Sequence, residues 1–316
     1  MKTEILPATA IDCAVHALLA GEPVALPTET VYGLAANALD PLACARIFEA
    51  KERPLSDPLI VHLPGIDWLE RVAEPNALAL RLAERFWPGP LTMVLPRRDI
   101  VPDLVTAGQG SVAVRMSAHP VFRAVAEAAA VPLAAPSANR FGRISPTAAG
   151  HVLSELDGRI RLVVDGGACA HGIESTIVLL TGDAIEILRH GPVTAGMLAE
   201  YAALRPGGHS EVTAPGSLKS HYAPSTPLDI VEDLEAAPRE GSGLLAWEPG
   251  PGSAGFAAVE ILSQAGDLRE VAANLYAGMR RLDAMELKRI LALPVPEAGL
   301  GAAIMERLRK AAARRT

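Results

Sequence analysis

The chain has 316 residues, of which half are hydrophobic and 21% are charged. Its net charge is −7, and its three cysteines lie far apart in sequence. The length is typical of two domains. The negative net charge argues against a protein that coats nucleic acid through bulk positive charge, but it does not exclude a local basic groove. The dispersed cysteines exclude a disulfide scaffold and offer no zinc-binding spacing. Because residues 1–4 lack the apolar run of a signal peptide and no apolar stretch reaches membrane-spanning length, we expect a soluble, cytoplasmic protein with no membrane partner.

The first stretch with distinctive chemistry is 27–34, Pro-Thr-Glu-Thr-Val-Tyr-Gly-Leu. The apolar run 24–26 before it, between Pro23 and Pro27, predicts the end of a buried strand. Two hydroxyls, a carboxylate and a phenol follow, and open α/β sheets bind their ligands beyond strand ends. The segment therefore predicts either a ligand site or an ordinary strand-to-loop turn.

Helices and strands alternate from residue 10 to residue 189. Two helix starts are strongly marked, because Asp40 is an N-cap residue followed by Pro41 and Asn76 is also a capping residue. Helices are predicted at 10–20, 41–51, 76–87, 120–130 and after a Thr147 cap, and strands at 59–62, 91–95, 111–115, 132–135, 160–164, 176–180 and 184–188. This alternation with short turns predicts a mostly open α/β sheet.

The composition changes between residues 205 and 226 to Pro, Gly, Ser and His without an apolar period, which predicts a linker. Beyond it, strands are predicted at 228–231, 244–247, 259–262 and 287–293, and helices at 267–283 and 300–313. These elements predict a second, smaller α/β domain. The expected organisation is a domain over 1–205, a linker over 206–226 and a domain over 227–316.

Several common nucleotide and catalytic motifs are excluded. Residues 250–255 fit G-x-G-x-x-G, but Pro251 lies inside the motif and a strand follows, so the pattern predicts a loop. The sequence contains no P-loop motif, no G-x-S-x-G and no His pair spaced i, i+4 for zinc.

Polar or charged groups stand at nearly every predicted strand or helix end. Lys51 and Arg53 follow a helix, where they could complement the helix dipole or, together with His62, hold a triphosphate. The other groups of this kind are Arg115, Arg189, Ser137 and Asn139. Each one alone fits an ordinary surface or turn role. Together they favour recognition of phosphate, carboxylate or hydroxyl groups.

Eight segments, in this order and spacing, resemble the threonylcarbamoyl-adenylate synthases: 27–34, 51–54, 58–62, 87–92, 112–115, 135–139, 174–177 and 187–189. The segment 221–224, His-Tyr-Ala-Pro, and the additional C-terminal domain resemble the long two-domain form of the family more than its short YrdC-like form. The C-terminal match is looser. The resemblance implies an α/β protein in which a YrdC-like open twisted mixed sheet with flanking helices is joined to a smaller, Rossmann-like C-terminal α/β domain.

The family's reaction converts L-threonine, bicarbonate and ATP into threonylcarbamoyl-adenylate and pyrophosphate, the first step towards threonylcarbamoyladenosine beside the tRNA anticodon. The resemblance implies Mg²⁺ on the ATP, no redox cofactor, and downstream tRNA threonylcarbamoyl-transfer proteins as partners. Direct contact with tRNA and the oligomeric state are left open. Such a transfer depends on positioning and charge neutralisation, which explains a site rich in Lys, Arg, Ser and Thr.

The resemblance also implies roles for individual residues by motif position. On the threonine side it places Thr30, His62, Arg115 and Ser175. On the nucleotide side it places Lys51, Arg53, Asp57, Ser111, Ser137, Asn139, Ser145, Arg189, His221 and Tyr222, with Lys51 and Arg53 as the catalytic pair. Asp57 lies where family members often carry Asn, and an acid beside phosphates would repel them unless it faces the metal. The role of Asp57 and the metal ligands are therefore left open.

The linker is predicted to act as a lid. It carries Lys219, His221 and Tyr222 between Pro215 and Pro224, more functional groups than a passive spacer requires. The product is a mixed anhydride that water destroys, so closure over it has a chemical purpose. We expect His221 and Tyr222 to approach the nucleotide and the second domain to anchor the far end of the lid.

Two other functions are compatible with the same fold. One is a carbamoyl-transfer module of the hydrogenase-maturation type, although the acylphosphatase and zinc-finger segments of those proteins are absent here. The other is an RNA-binding module, against which the net charge and the intact anion-binding set both argue.

Overall fold

The computed structural model describes residues 2–205, 221–250, 252 and 254–313. The strands are β1 (Glu4–Pro7), β2 (Val24–Leu26), β3 (Gly33–Asn37), β4 (Ile60–His62), β5 (Leu91–Pro96), β6 (Ser111–Arg115), β7 (Leu133–Ala134), β8 (Leu162–Asp165), β9 (Thr176–Thr181), β10 (Ala184–Arg189), β11 (Ala203–Arg205), β12 (Leu228–Ile230), β13 (Ser242–Ala246), β14 (Ala258–Ile261) and β15 (Arg289–Ala292). The helices are α1 (Ile11–Leu19), α2 (Pro41–Lys51), α3 (Leu69–Val72), α4 (Ala77–Phe86), α5 (Asp103–Thr106), α6 (Pro120–Ala129), α7 (Ala149–Leu156), α8 (Ala195–Ala199), α9 (Leu268–Asp283) and α10 (Gly301–Ala312), with a 3₁₀ turn at Ile66–Trp68.

The first eleven strands form one mixed sheet in the order β1-β8-β2-β3-β7-β4-β6-β5-β9-β10-β11. Helices cover both of its faces, and strand β2 shows how the sequence produces this. Val24 and Leu26 pack in an apolar cluster with α1 and α6, whereas Ala25 packs in a separate cluster with α2. Alternate residues of a strand point to opposite faces, so an uninterrupted apolar run is buried on both sides.

The remaining strands form a parallel four-stranded sheet in the order β12-β15-β13-β14, packed with α9 and α10. We call the described residues up to 205 the first unit and those from 227 onwards the second unit. The apolar core of the second unit extends into the first, since Val31, Ile144 and Ile173 belong to the same buried cluster as Leu275. At Gly172 the two units approach each other through backbone atoms. Gly172 has φ +67°, and a Cβ there would lie 2.5 Å from the carbonyl oxygen of Ala272 in α9, so only glycine fits.

The predicted fold class is confirmed, and most predicted elements agree with the structure to within a few residues. The predicted cap is wrong at α7: Ala148 is its N-cap position, no side chain caps it, and Thr147 Oγ1 lies instead 3.3 Å from His151 Nδ1. Strands β1, β3 and β11 and the short helices α3, α5 and α8 were not predicted. Most of the predicted linker, 206–220 with Lys219, lies outside the described residues, so the domain boundaries stay predictions. None of the described helices combines the length and apolar character needed to cross a membrane.

Candidate active site

The loop between β2 and β3 carries the 27–34 motif and is internally fixed. Thr28 Oγ1 donates to the carbonyl oxygen of Val31 at 2.6 Å and accepts from the backbone N–H of Thr30 at 3.1 Å. Tyr32 holds the far end of the loop, because its hydroxyl donates to the carbonyl oxygen of Gly167 at 2.8 Å. Short polar side chains that bond the backbone of their own turn are the usual way to fix such a loop. Thr30 is thereby held in one place.

Arg115, at the end of β6, is fixed by Glu29 of the same loop. Its Nη2 lies 2.6 Å from Glu29 Oε1 and its Nη1 donates to Thr30 Oγ1 at 3.0 Å, while Ser117 Oγ donates to Glu29 Oε2 at 2.5 Å. Both partners of the ion pair are buried. Burial raises the pKa of Glu29, but Arg115 and Ser117 outweigh it and lower that pKa to about 2. Glu29 is therefore an ionised carboxylate that orients the guanidinium.

His62 ends β4 and lies beside Arg115, because the two residues are register partners in the parallel pair β4–β6. Its ring packs 4.7 Å from that of Phe122, and its Nδ1 is buried without a hydrogen-bond partner among the described residues. Burial, and then the charge of Arg115, lower the pKa of His62 to about 3. The ring is neutral near pH 7, with a nitrogen available to a ligand.

Arg53 follows α2 and is held by the turn after it. Its Nη2 lies 3.0 Å from Asp57 Oδ2 and donates to the carbonyl oxygen of Pro58 at 2.7 Å. Burial raises the pKa of Asp57, and Arg53 acts in the opposite direction. Asp57 therefore forms an ion pair inside the protein that holds Arg53.

Lys51, the last residue of α2, has two partners in the loop after β7. Its Nζ donates to the carbonyl oxygen of Ser137 at 2.5 Å and to that of Asn139 at 2.6 Å. Burial and the neighbouring Arg53 lower the pKa of this amine well below its ordinary value. In this structure Lys51 ties the end of α2 to the loop over 137–139.

Asn139 and Ser145 stabilise the same loop. Asn139 Nδ2 donates to the carbonyl oxygens of Arg140 and Arg143 at 2.8 and 2.9 Å, and its Oδ1 is buried without a partner among the described residues. Ser145 Oγ donates to Glu174 Oε1 at 2.5 Å. The loop is therefore tied to the segment that leads into β9.

Arg189, at the end of β10, holds Ser175 in place. Its Nε donates to the carbonyl oxygen of Ser175 at 3.0 Å and its Nη2 to the Oγ of the same residue at 3.0 Å. Ser175 Oγ also lies 2.8 Å from Thr92 Oγ1. Both predicted sides of the site thus meet at this pair, since Ser175 was assigned to threonine and Arg189 to the nucleotide.

The segment 221–226 covers these groups and is bonded to both units. The backbone N–H of His221 donates to the carbonyl oxygen of Lys310 at 3.3 Å, and that of Thr226 to Asp283 Oδ1 at 2.7 Å, so α10 and α9 hold it. On the other side, the N–H of Ala223 donates to the carbonyl oxygen of Gly142 at 3.0 Å. Tyr222 is buried with φ +62°, in the left-handed region that tyrosine rarely adopts.

These elements border a small cavity of about 50 Å³. Nine of the residues assigned from the resemblance line it: Thr30, Arg53, His62, Arg115, Ser137, Ser175, Arg189, His221 and Tyr222. Five others do not: Lys51, Asp57, Ser111, Asn139 and Ser145. Four of these five support the lining through the contacts above.

Ser111 is the remaining residue of that group. It begins β6, opposite Pro96, whereas Arg115 ends the same strand. The two are four residues apart, or about 13 Å in a strand. The structure does not bring Ser111 to the cavity, and its contact with the nucleotide stays a prediction.

The sequence alone did not assign a role to several residues that organise the cavity: Glu29, Glu174, Tyr276 and Arg307. The signal for Glu29 was present, since it lies between Thr28 and Thr30 in the first motif. Tyr276 and Arg307 had no such signal, because they belong to the second unit and lie outside the motifs that resemble the family. Among the described residues, no group of three or more His, Cys, Asp or Glu side chains could hold a metal ion.

Two family models together match nearly the whole chain. One, described as "Telomere recombination", matches residues 16–191, and one described as "Threonylcarbamoyl-AMP synthase, C-terminal domain" matches residues 188–313. The threonylcarbamoyl-AMP synthase of Pyrococcus abyssi is 42% identical over 307 residues, which cover 92% of this chain and 90% of the relative. The chain belongs to the threonylcarbamoyl-AMP synthase family.

Other members of the threonylcarbamoyl-AMP synthase family agree with this assignment. The synthase of Bacillus subtilis is 40% identical over 311 residues, covering 92% of this chain and 89% of the relative. The crystal structure of P. abyssi Sua5 complexed with L-threonine has a TM-score of 0.88 and 38% identity and covers 98% of both chains. Of the three functions considered from the sequence, threonylcarbamoyl-AMP synthesis is confirmed.

Proposed function

We propose that the residues around this cavity bind L-threonine, bicarbonate and ATP and join them into threonylcarbamoyl-AMP, with release of pyrophosphate and water, for the threonylcarbamoyladenosine modification of tRNA. In the reaction, the threonine nitrogen bonds to the bicarbonate carbon and water leaves. An oxygen of the resulting carbamate then attacks the α-phosphorus of ATP. The bond from that phosphorus to the β-phosphate oxygen breaks, and pyrophosphate takes the electron pair.

One observation carries this proposal: three buried arginines and two buried polar atoms without a hydrogen-bond partner among the described residues converge on one cavity. Arg53, Arg115 and Arg189 line it. The buried atoms without a partner among the described residues include His62 Nδ1 and the hydroxyl of Tyr222, both in the lining, and Asn139 Oδ1 in the adjoining loop. Because an unsatisfied buried polar group costs about 1–3 kcal/mol, a ligand that bonds these atoms would relieve that cost.

The substrate positions follow from charge. Arg115, with its fork fixed by Glu29, suits the carboxylate of threonine, and Thr30 and Ser175 suit its hydroxyl and amine. Arg53 and Arg189 suit the phosphates, and His221 and Tyr222 suit the nucleoside. Two anions must meet while a third leaves, so fixed cations in a site shielded from water supply most of the stabilisation.

The divalent cation enters this proposal as part of the substrate. We expect Mg²⁺ to arrive on ATP, held by phosphate oxygens and water, because Mg²⁺ commonly uses few protein ligands at nucleotide sites. Two carboxylates beside the proposed phosphate contacts already have basic partners, since Asp57 is paired with Arg53 and Glu174 with Arg307. We also propose downstream threonylcarbamoyl-transfer proteins as partners that accept the product.

The test is direct. The full chain is incubated with MgATP, radiolabelled threonine and bicarbonate, and threonylcarbamoyl-AMP is separated by chromatography. We expect the product only when all three substrates are present, with pyrophosphate in equal amount. Product that forms without bicarbonate, or ATP hydrolysis with no labelled adenylate, would contradict the proposal.

A further inference from the structure

Arg307 of α10 is fully buried although it belongs to the second unit. Its Nε lies 2.9 Å from Glu174 Oε2, and its Nη1 donates to the carbonyl oxygen of His190 at 2.7 Å. Its guanidinium carbon lies 5.5 Å from the centre of the Tyr222 ring. One side chain from the end of the chain therefore contacts three segments that border the cavity.

Glu174 is the centre of these contacts. It lines the cavity directly before Ser175 and accepts hydrogen bonds from Ser145 Oγ at 2.5 Å and from the hydroxyl of Tyr276 at 2.9 Å. Burial raises its pKa, but Arg307, then Arg189 and Ser145, outweigh burial and lower that pKa to about 2. Without Arg307, a buried carboxylate would lose its main counter-charge.

Each neighbour of this ion pair has a role at the site. Ser145 belongs to the loop after β7, His190 follows Arg189, and Tyr222 belongs to the covering segment 221–226. An ion pair that joined two units only for stability would not need to reach these three segments. Removing one partner of a buried pair leaves an uncompensated charge, which is strongly unfavourable.

We infer that Arg307 is a positioning residue of the active site: by fixing Glu174, the backbone at His190 and the Tyr222 ring, it sets the positions of Ser175, Arg189 and the covering segment. The second unit then contributes to catalysis itself, in addition to anchoring the segment over the cavity. This inference rests on the proposed function.

The experiment compares Arg307→Met, Arg307→Lys and Glu174→Gln/Arg307→Met with the wild-type chain. Arg309→Met is the matched control, because Arg309 lies on the same helix but is exposed and pairs with Glu297. For Arg307→Met we expect kcat/KM for threonylcarbamoyl-AMP formation and the affinity for ATP each to fall at least tenfold. Lysine should rescue little, since one ammonium cannot reach the carboxylate, the carbonyl and the ring together. Arg309→Met should stay within twofold of wild type.

The pH profile separates positioning from simple loss of stability. Glu174 is surrounded by titratable or charged groups from four elements: Arg307 of α10, Tyr276 of α9, Arg189 at the end of β10, and His221 and Tyr222 of the covering segment. In Arg307→Met, burial should raise the pKa of Glu174 well above its wild-type value. The rate should then rise with pH through a step that wild type lacks, and Glu174→Gln/Arg307→Met should lose that step.

Two outcomes would overturn the inference. One is a folded Arg307→Met with wild-type turnover, ATP affinity and pH profile. The other applies if Arg307→Met does not fold. Tyr276→Phe keeps the ring but removes one hydrogen bond to Glu174, and a wild-type kcat in that variant would overturn the inference. ATP affinity, measured by calorimetry, tests the inference even if the wild-type chain forms no threonylcarbamoyl-AMP, a result that would refute the proposed function alone.

Discussion

At the level of single residues, the three arginines of the cavity are held by different partners. Arg115 is paired with Glu29, Arg53 with Asp57, and Arg189 donates to Ser175. A guanidinium that is fixed before the substrate arrives loses little conformational entropy on binding. The acidic partners also offset part of the positive charge, so the arginines that line the cavity repel one another less.

Arg53→Ala should weaken ATP binding by well over tenfold. Removing one partner of a charge-assisted hydrogen bond typically costs about 1.5–3 kcal/mol, and here the variant also leaves Asp57 buried without its counter-charge. Calorimetric titration with MgATP measures the effect. Arg71→Ala, which removes an exposed arginine from the same unit, should bind as wild type does. An unchanged dissociation constant in a folded Arg53→Ala would show that Arg53 does not contact the nucleotide.

Arg115→Lys should reduce threonine-dependent turnover much more than ATP binding. Lysine keeps the charge but loses the planar fork that now spans Glu29 and Thr30. We expect at least a tenfold rise in the KM for threonine. Arg123→Lys, at an exposed ion pair with Glu127, is the control. A threonine KM and kcat equal to those of wild type would remove the assigned role of Arg115.

Local sequence indicated the cavity-lining residues better than the residues that orient them. Thr30, His62 and Arg115 stand at loop or strand ends, where a pattern can be recognised. Their supports are distant in sequence: Arg115 and Glu29 are separated by 86 residues, and Arg307 and Glu174 by 133. A buried ion pair of this kind is set by tertiary packing, which no local pattern encodes.

At the level of elements, caps and breakers explain most of what could be predicted. Asp40 accepts from the backbone of α2, and Asn76 from that of α4, as expected from residue type. The missed strand β1 is short, lies at a sheet edge and is largely exposed, so it has no apolar period. Thr147 matched the capping pattern, but α7 begins after Ala148 and the hydroxyl contacts His151.

The covering segment is the element on which the lid prediction depends. His221 and Tyr222 line the cavity, and the contacts with Lys310 and Asp283 hold the segment to the second unit. Replacing 216–222 with Gly-Ser repeats of equal length should leave both units folded and reduce adenylate accumulation at least tenfold, because water would reach the mixed anhydride.

The matched control for this replacement is an equal-length Gly-Ser exchange over 208–214, which spares His221 and Tyr222. It should accumulate adenylate to within about threefold of wild type. Time courses with labelled threonine measure both variants. A 216–222 variant with wild-type accumulation would contradict the lid, as would a nucleotide-bound structure in which 221–224 lies away from the cavity.

At the level of the whole molecule, acid should destabilise the fold in two overlapping ranges. His62 and His221 have folded pKa values of about 3 against 6.5, so stability falls as the pH drops from about 6.5 to 3. Glu29 and Glu174 have values of about 2 against 4.5, so stability also falls between about 4.5 and 2. In all four cases the unfolded chain binds more protons, and the contribution to stability is at most about 3 kcal/mol for each carboxylate and about 5 kcal/mol for each histidine.

Urea unfolding at pH 7, 5 and 4 measures this dependence. We expect the midpoint to fall steadily with pH, and Glu29→Gln to lower the midpoint at pH 7 while flattening its change between pH 5 and 4. The exposed Glu84→Gln should follow the wild-type curve. A wild-type urea midpoint that does not change from pH 7 to 4 would contradict the shifted pKa values of the two histidines and the two glutamates.

The ion pair between Glu174 and Arg307 also sets an order of events during protein synthesis. The ribosome makes the large sheet first, and 133 positions separate Glu174 from its partner, which takes roughly 7–27 s at about 5–20 residues per second. Until α10 emerges, the nascent chain holds a carboxylate at the cavity wall without its counter-charge. A chain that terminates early, even by a few dozen codons, should therefore carry every cavity-lining side chain of the first unit and still make little product.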